Sequence, residues 1–206
     1  MRGICIFSSV NPTVSTHTLD THPDFSKGSV RMRSEKSTTQ LKKIVISSMF
    51  AALTCVATMV IKIPIPATNG YINIGDCIVL LSGWLLGGVY GTAAAGIGSM
   101  LADALLGYMT YAPGTLIIKG LVALVAFTFY RAMGEKHIFL ARLLSSVLAE
   151  AVMVLGYFIY EATVLGYGIG AAASIPSNVI QGVGGVVISI LFMELIRNNP
   201  VLRHRS

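Results

Sequence analysis

Six apolar segments constrain this chain more than any other feature, because runs of this length are typical of helices that cross a bilayer. The residues from 74 to 107 would form ~51 Å of helix, too long for one ~30 Å crossing and enough for two short ones. Gly87-Gly88 is the expected turn between them. Soluble domains carry roughly 25% charged residues, whereas this chain has 12% and is 54% hydrophobic. The sequence therefore predicts an all-α membrane protein, a six-transmembrane-helix bundle, with segments at residues 44–61, 74–107 (two), 114–130, 140–160 and 172–196.

The basic residues indicate how such a bundle is oriented. If the N-terminus is inside, only Lys62 falls in an external loop. Such a bias fits the positive-inside rule and predicts that both termini are cytoplasmic. No basic stripe with interleaved aromatic residues is present, so a nucleic-acid partner is not expected. The predicted cytoplasmic cations are Arg33, Lys36, Lys42, Lys43, Arg131, Lys136, Arg142, Arg197, Arg203 and Arg205.

The first 40 residues differ in composition from the rest of the chain. They are polar, rich in Ser and Thr and without periodicity, and their apolar cluster ICIF is too short for a signal-peptide core. We interpret residues 1–40 as a disordered tail and residues 41–206 as one six-helix transmembrane domain. Met32 is a plausible alternative start, because RSEKSTTQLKK follows it and leads into the first apolar segment.

Polar and aromatic side chains accumulate at the predicted external ends of the helices. An ionisable group inside a bilayer costs at least ~2.5–3.5 kcal/mol, so a retained one is a candidate functional residue. Aromatic walls with a few hydrogen-bonding groups at one end of a bundle indicate a pocket for a small planar polar molecule. The candidate substrate-binding residues are Tyr71, Asn73, Asp76, Asp103, Tyr108, Tyr111, Lys119, Tyr157, Glu161, Asn178 and Gln181.

Structural interpretations of the same residues stand beside this one. Tyrosines near helix ends are also typical of an interfacial aromatic belt. Asp76 could cap the second helix, and Asp103 could pair with Lys119 inside the bundle. Glu150, in the middle of the fifth segment, could be protonated or bonded to a hydroxyl such as that of Ser99.

Small residues predict two close helix contacts. Gly87, Gly91, Ala95, Ser99, Asp103 and Gly107 recur every four residues along the third segment. Such faces let helices approach closely in lipid, either within the bundle or against another subunit. The residues proposed to dock a partner lie on the first segment and are Ser47, Ser48, Ala51, Ala52 and Cys55.

Catalysis has no support in the motifs. HExxH, GxSxG, the Walker P-loop and metal-spaced His sets are all absent from the sequence. The chain is therefore not expected to be an enzyme, to bind a metal or cofactor, or to use ATP by itself.

Four strings resemble a known family of membrane proteins. YINIGDCIVLL, AAAGIGSMLADALLGYMTYAPGTLIIKGLVA, MVLGYFIYEA and SIPSNVIQGVGGVV resemble the substrate-binding S components of energy-coupling factor (ECF) vitamin transporters, of the riboflavin or hydroxymethylpyrimidine type. The likeness covers residues 42–197. It implies a multi-pass protein of a prokaryotic-type cell membrane that captures a vitamin or vitamin precursor externally.

The resemblance also implies partners, namely a membrane coupling subunit and two cytoplasmic ATPases that drive uptake. The family docks its coupling subunit through an AxxxA-type motif on the first helix, which is degenerate here. Short tyrosine-rich loops suit a hydroxymethylpyrimidine or pyridoxine better than a large flavin. The alternative is a self-sufficient secondary carrier or channel that uses Asp103, Glu150 and Lys119 as a proton relay.

Overall fold

The computed structural model describes residues 25–65, 70–134 and 137–198. Contacts divide the chain into two units, residues 1–37 and 38–206. The described part of the first unit is the beginning of helix α1, and the site lies wholly within the second unit. The described elements are α1 (Phe25–Val60), β1 (Lys62–Ile65), β2 (Gly70–Asn73), α2 (Gly75–Leu85), α3 (Gly88–Leu105), α4 (Ala112–Met133), α5 (Ile138–Thr163), a 3₁₀ helix (Gly168–Ser174) and α6 (Ile175–Asn198).

Each predicted apolar segment corresponds to one helix, which confirms the all-α membrane class. Within the described residues, four helices are long and apolar enough to cross a membrane. Helix α2 has 11 residues, or ~16 Å, which is too short for a ~30 Å crossing. Helix α3 is not among the four candidate spans either. The six crossings and the cytoplasmic position of both termini therefore stay predictions. The four candidate spans are Thr38–Val60, Ala112–Met133, Ile138–Thr163 and Gly168–Arg197.

Helix α1 begins inside the segment that the sequence predicted to be disordered. Residues 25–40 are helical, which corrects that part of the prediction, while residues 1–24 lie outside the described residues. Residues 34–43, SEKSTTQLKK, contain no Gly or Pro that would end an apolar helix continuing backward through them.

Helix α2 occupies the centre of the second unit. Nine of its 11 residues are buried, as expected for a helix that is apolar on every side. Val79 and Leu80 pack with Val122 of α4 and Met153 of α5 in the main apolar cluster. The small face of α3 is also buried from Gly87 to Asp103, so that face packs inside the bundle.

The connections around α2 depend on special backbone geometry. Gly87 has a φ of 65° and ends the turn between α2 and α3, where the sequence predicted it. Before α2, the loop that the sequence predicted is instead a hairpin, in which β1 and β2 pair antiparallel with Lys62 opposite Asn73. The hairpin carries Tyr71 and Asn73 to the helix ends.

The end of the bundle away from the hairpin is basic. Arg142, near the start of α5, binds Glu194 near the end of α6 at 3.2 Å. Arg197 binds the same carboxylate at 2.5 Å. Glu194 lies 13 residues beyond Gln181 along α6, or ~20 Å, so these ion pairs are far from the hairpin end of the bundle.

Candidate functional site

A polar cavity lies where β2 meets α1 and α3 to α6. The free space left between its lining side chains is only about 30 Å³, enough for one or two water molecules. The cavity is therefore nearly filled by its own polar side chains, and a ligand would have to displace some of them. The lining residues are Thr58, Tyr71, Asn73, Ser99, Asp103, Tyr111, Thr115, Lys119, Tyr157, Glu161, Asn178 and Gln181.

A buried ion pair forms the floor of this cavity. The Lys119 ammonium of α4 binds Asp76 Oδ1 at the start of α2, and both side chains are almost fully buried. Gln181 Nε2 of α6 donates to Asp76 Oδ2 at 2.7 Å. The Asn73 backbone N–H in turn donates to Gln181 Oε1 at 2.8 Å. The network ties the hairpin to three helices and neutralises both charges.

The Asp103 carboxyl group of α3 interacts with the hydroxyl groups of Tyr71 and Thr115. Tyr71 donates its hydroxyl to Asp103 Oδ1 at 2.5 Å. Burial, and then the Asp103 carboxylate, raise the pKa of Tyr71, so its hydroxyl keeps the proton that it donates. Asp103 Oδ2 and the Ser99 hydroxyl are buried and have no hydrogen-bond partner among the described residues. Both residues line the cavity, so these atoms are free to bind a ligand that offers an N–H or O–H group.

A second carboxylate closes the opposite wall. Glu161 of α5 accepts hydrogen bonds from Tyr111 at 3.2 Å and from Ser174 of the 3₁₀ helix at 2.5 Å. Both of its oxygens therefore have partners within the protein, although the residue lines the cavity. This arrangement gives Glu161 a role in positioning Tyr111.

Tyrosine rings form the walls. The ring centroids of Tyr71 and Tyr108 are 4.8 Å apart, and those of Tyr108 and Tyr111 are 6.5 Å apart. The Tyr157 ring lies 5.5 Å from the Lys119 ammonium. Tyr160 donates to the backbone carbonyl of Thr110 at 2.6 Å. These internal contacts distinguish the cluster from a belt whose tyrosines only meet the membrane surface.

Nine of the eleven predicted substrate-binding residues line the cavity. Asp76 lies beneath it as the partner of Lys119, and Tyr108 stands behind Tyr71. Sequence reasoning did not assign Thr58, Ser99 and Thr115 to the site, because a hydroxyl on an apolar helix commonly bonds its own backbone and gives no distinctive pattern. Thr115 departs from this pattern, since its hydroxyl bonds the Tyr157 hydroxyl at 3.0 Å.

Three structural interpretations are corrected. Asp76 makes no side-chain capping bond, because its carboxylate is directed to Lys119 and Gln181. Lys119 pairs with Asp76 and not with Asp103. Glu150 does not bond Ser99, since neither side chain has a hydrogen-bond partner in the described part of the chain.

The five residues predicted to dock a partner do not share one exposed face. Cys55 is buried, and Ser47 and Ala51 are half-buried. Ala51 packs on α3, since a Cβ added at Gly98 would lie 2.4 Å from its carbonyl oxygen. Only Ser48 and Ala52 are exposed, and this pair is called the α1 outer face below. The periodicity of small residues could not show which stripe faced inward.

Close packing of α6 under the ion pair gives a first prediction. A Cβ added at Gly185 would lie 2.8 Å from Asp76 Cβ, whereas at Gly184 it would meet no atom within 4 Å. Gly185→Ala should therefore displace Asp76 and lower the free energy of unfolding by about 1–3 kcal/mol. Gly184→Ala is the matched control and should leave stability nearly unchanged. Thermal unfolding in detergent measures both, and equal midpoints would contradict the packing.

Within the described ranges, no group of three His, Cys, Asp or Glu side chains could hold a metal ion. The polar groups of the cavity are carboxylates, one ammonium, amides and hydroxyls. This donor set suits reversible hydrogen bonding of an organic molecule.

Comparisons with known proteins agree with this architecture. Residues 38–198 match the family model described as ECF-type riboflavin transporter, S component. An uncharacterised protein of Pyrococcus woesei is 39% identical over 133 residues, which cover 65% of this chain and 86% of that protein. The thiamine precursor transporter HmpT of Lactococcus lactis subsp. cremoris (strain MG1363) is 29% identical over 164 residues, which cover 79% of this chain and 92% of that protein.

A solved structure is also similar. It is described as the S component of a bacterial ECF transporter, and it aligns with a TM-score of 0.60 and 22% identity. The alignment covers 77% of this chain and 97% of that one. At this identity the likeness shows the fold alone.

Proposed function

The chain belongs to the family of ECF-type riboflavin transporter S components, and from this premise we propose that it captures a compact vitamin precursor of the hydroxymethylpyrimidine class. Family members are integral membrane, substrate-binding subunits of vitamin transporters and not enzymes.

The observation that carries the choice of cargo is the pair of unpartnered atoms in the cavity. Asp103 Oδ2 accepts hydrogen bonds, and the Ser99 hydroxyl can donate or accept. An aminopyrimidine offers N–H donors and ring-nitrogen acceptors in one plane. Tyr71, Tyr111 and Tyr157 line the same space and supply apolar faces for a flat ring.

The small free space and the similarity to a relative support the same cargo. With only about 30 Å³ free between the lining side chains, a single heterocycle needs less rearrangement of the cavity than a tricyclic flavin with its ribityl chain. HmpT, which shares 29% identity over most of its length, is described as a thiamine precursor transporter. Pyridoxine is the next candidate, and riboflavin is less favoured.

The orientation follows from charge. Arg131, Arg142 and Arg197 lie at the bundle end away from the cavity, and the positive-inside rule would place that end in the cytoplasm. The cavity then opens to the outside. With α2 and α3 as two short crossings, the chain would have six crossings and both termini inside.

Delivery of the cargo would require a membrane coupling subunit and two cytoplasmic ATPases. Purified chain in liposomes tests this division of labour. We expect it to bind hydroxymethylpyrimidine without accumulating it under a pH gradient. Accumulation by the chain alone would show the self-sufficient carrier instead.

The α1 outer face is the proposed contact with the coupling subunit, and it gives a second prediction. Ala52→Trp should lower vitamin uptake by cells about tenfold or more, because a bulky side chain prevents close helix approach. Binding by the purified protein should not change. Leu53→Trp is the matched control, since Leu53 is exposed but points ~100° away around the helix. Undiminished uptake with Ala52→Trp would exclude this face.

A further inference from the structure

A second cavity lies between α5 and α6, and the proposed function does not use it. Valine side chains form most of its walls, and Val183 and Val187 are exposed on its rim. In a membrane such a groove opens toward lipid. Its lining residues are Val147, Glu150, Ala151, Val154, Val179, Gly182, Val183, Val186 and Val187.

The one ionisable side chain in this lining is Glu150. Its residue is only 5% exposed, and neither carboxyl oxygen has a hydrogen-bond partner among the described residues. The three buried acids of the substrate site differ from it, since each accepts at least one hydrogen bond: Asp76, Asp103 and Glu161.

The surroundings of Glu150 leave room for its carboxyl group but provide no cation that pairs with it. A Cβ at Gly182 would lie 3.3 Å from Glu150 Oε2, and one at Gly185 would lie 3.4 Å from Oε1. The charged groups that face Glu150 are Asp76 of α2 and Lys119 of α4. These two already bind each other, so they neutralise each other and provide no net cation.

An ionised carboxyl without a partner is strongly disfavoured in a low-dielectric interior. The neutral acid avoids that penalty, because protonation removes the charge. We propose that Glu150 is a proton site at the base of the α5–α6 groove, which holds a proton at neutral pH and is open through that groove to lipophilic carboxyl reagents.

A hydrophobic carbodiimide tests both parts of the proposal. The carboxyl oxygen adds to the central carbon of the reagent, and the carboxyl proton moves to one reagent nitrogen. Migration of the acyl group from oxygen to nitrogen then gives a stable N-acylurea. Nothing leaves, so the chain gains the mass of one whole reagent molecule.

The experiment uses the full chain in liposomes at pH 7 and pH 8, with dicyclohexylcarbodiimide and peptide mass mapping. Glu150 should be the main modified residue at both pH values. A water-soluble carbodiimide should modify Glu150 at a rate at least about tenfold lower, because that reagent does not partition into lipid. Glu150→Gln should remove the adduct, and Glu161→Gln should retain it.

Two variants test whether the reagent reaches Glu150 through the groove. Val183→Trp should slow the modification of Glu150 severalfold by narrowing the groove. Ile180→Trp is the matched control, because Ile180 is exposed on α6 but does not line the groove, and it should have no effect. An unmodified Glu150, or one modified equally fast by the water-soluble reagent, would overturn the proposal.

Discussion

Lys119→Met is expected to lower the free energy of unfolding by about 3–5 kcal/mol, the usual range when one partner of a buried ion pair is removed. Lys119 and Asp76 are almost fully buried, so the Asp76 carboxylate would remain without its counter-charge. Gln181 donates only one neutral hydrogen bond to it and cannot replace the ammonium. The cavity floor should also lose its shape, and with it the affinity for substrate.

Thermal unfolding in detergent measures the loss. The double variant Asp76→Asn with Lys119→Met should recover most of the stability, because no unpaired charge then stays buried. Lys43→Met is the matched control. Lys43 is exposed, so its removal should cost about 1 kcal/mol or less. A stable Lys119→Met single variant would show that the pair is not buried as described.

Asp103→Asn is expected to weaken substrate binding by about 10- to 150-fold while the protein stays folded. The estimate corresponds to the loss of one hydrogen bond to a charged group, about 1.5–3 kcal/mol. The amide keeps an oxygen to accept the Tyr71 hydroxyl, which preserves the contact at 2.5 Å. Its NH₂ group, however, replaces the free carboxylate oxygen and cannot accept an N–H from the ligand.

Equilibrium dialysis with radiolabelled hydroxymethylpyrimidine measures this effect. Glu194→Gln is the matched control, because it makes the same chemical change at the far end of the bundle. That variant should keep wild-type affinity. Wild-type affinity in Asp103→Asn would remove Asp103 Oδ2 from the binding site.

The helices were predictable because each depends on a local property of the chain. Apolar runs and the Gly87-Gly88 turn mark α2 and α3 without knowledge of tertiary contacts. The hairpin was missed because its strands have only four residues each and contain Pro64 in one of them. The Asn69-Gly70 pair is a common hairpin-turn signal, but Gly70 already pairs with Ile65 in the hairpin, so the pair does not mark the turn.

The candidate site was predictable in composition but not in pairing. Polar residues in apolar segments are conspicuous, and nine of the eleven proposed residues line one cavity. The partner of Lys119 depends on the central position of α2, which no periodicity specifies. The face of α1 that points inward could not be predicted either, because Ala51 and Ala52 are equally small and only tertiary packing shows which of them is half-buried.

Whether the cavity binds a vitamin precursor can be measured by calorimetric titration of the purified wild-type chain in lipid nanodiscs with hydroxymethylpyrimidine. We expect saturable one-to-one binding that is much tighter than the binding of riboflavin under the same conditions. The proposed cargo would be contradicted if the folded protein bound riboflavin tightly. It would also be contradicted if the folded protein bound none of hydroxymethylpyrimidine, riboflavin and pyridoxine.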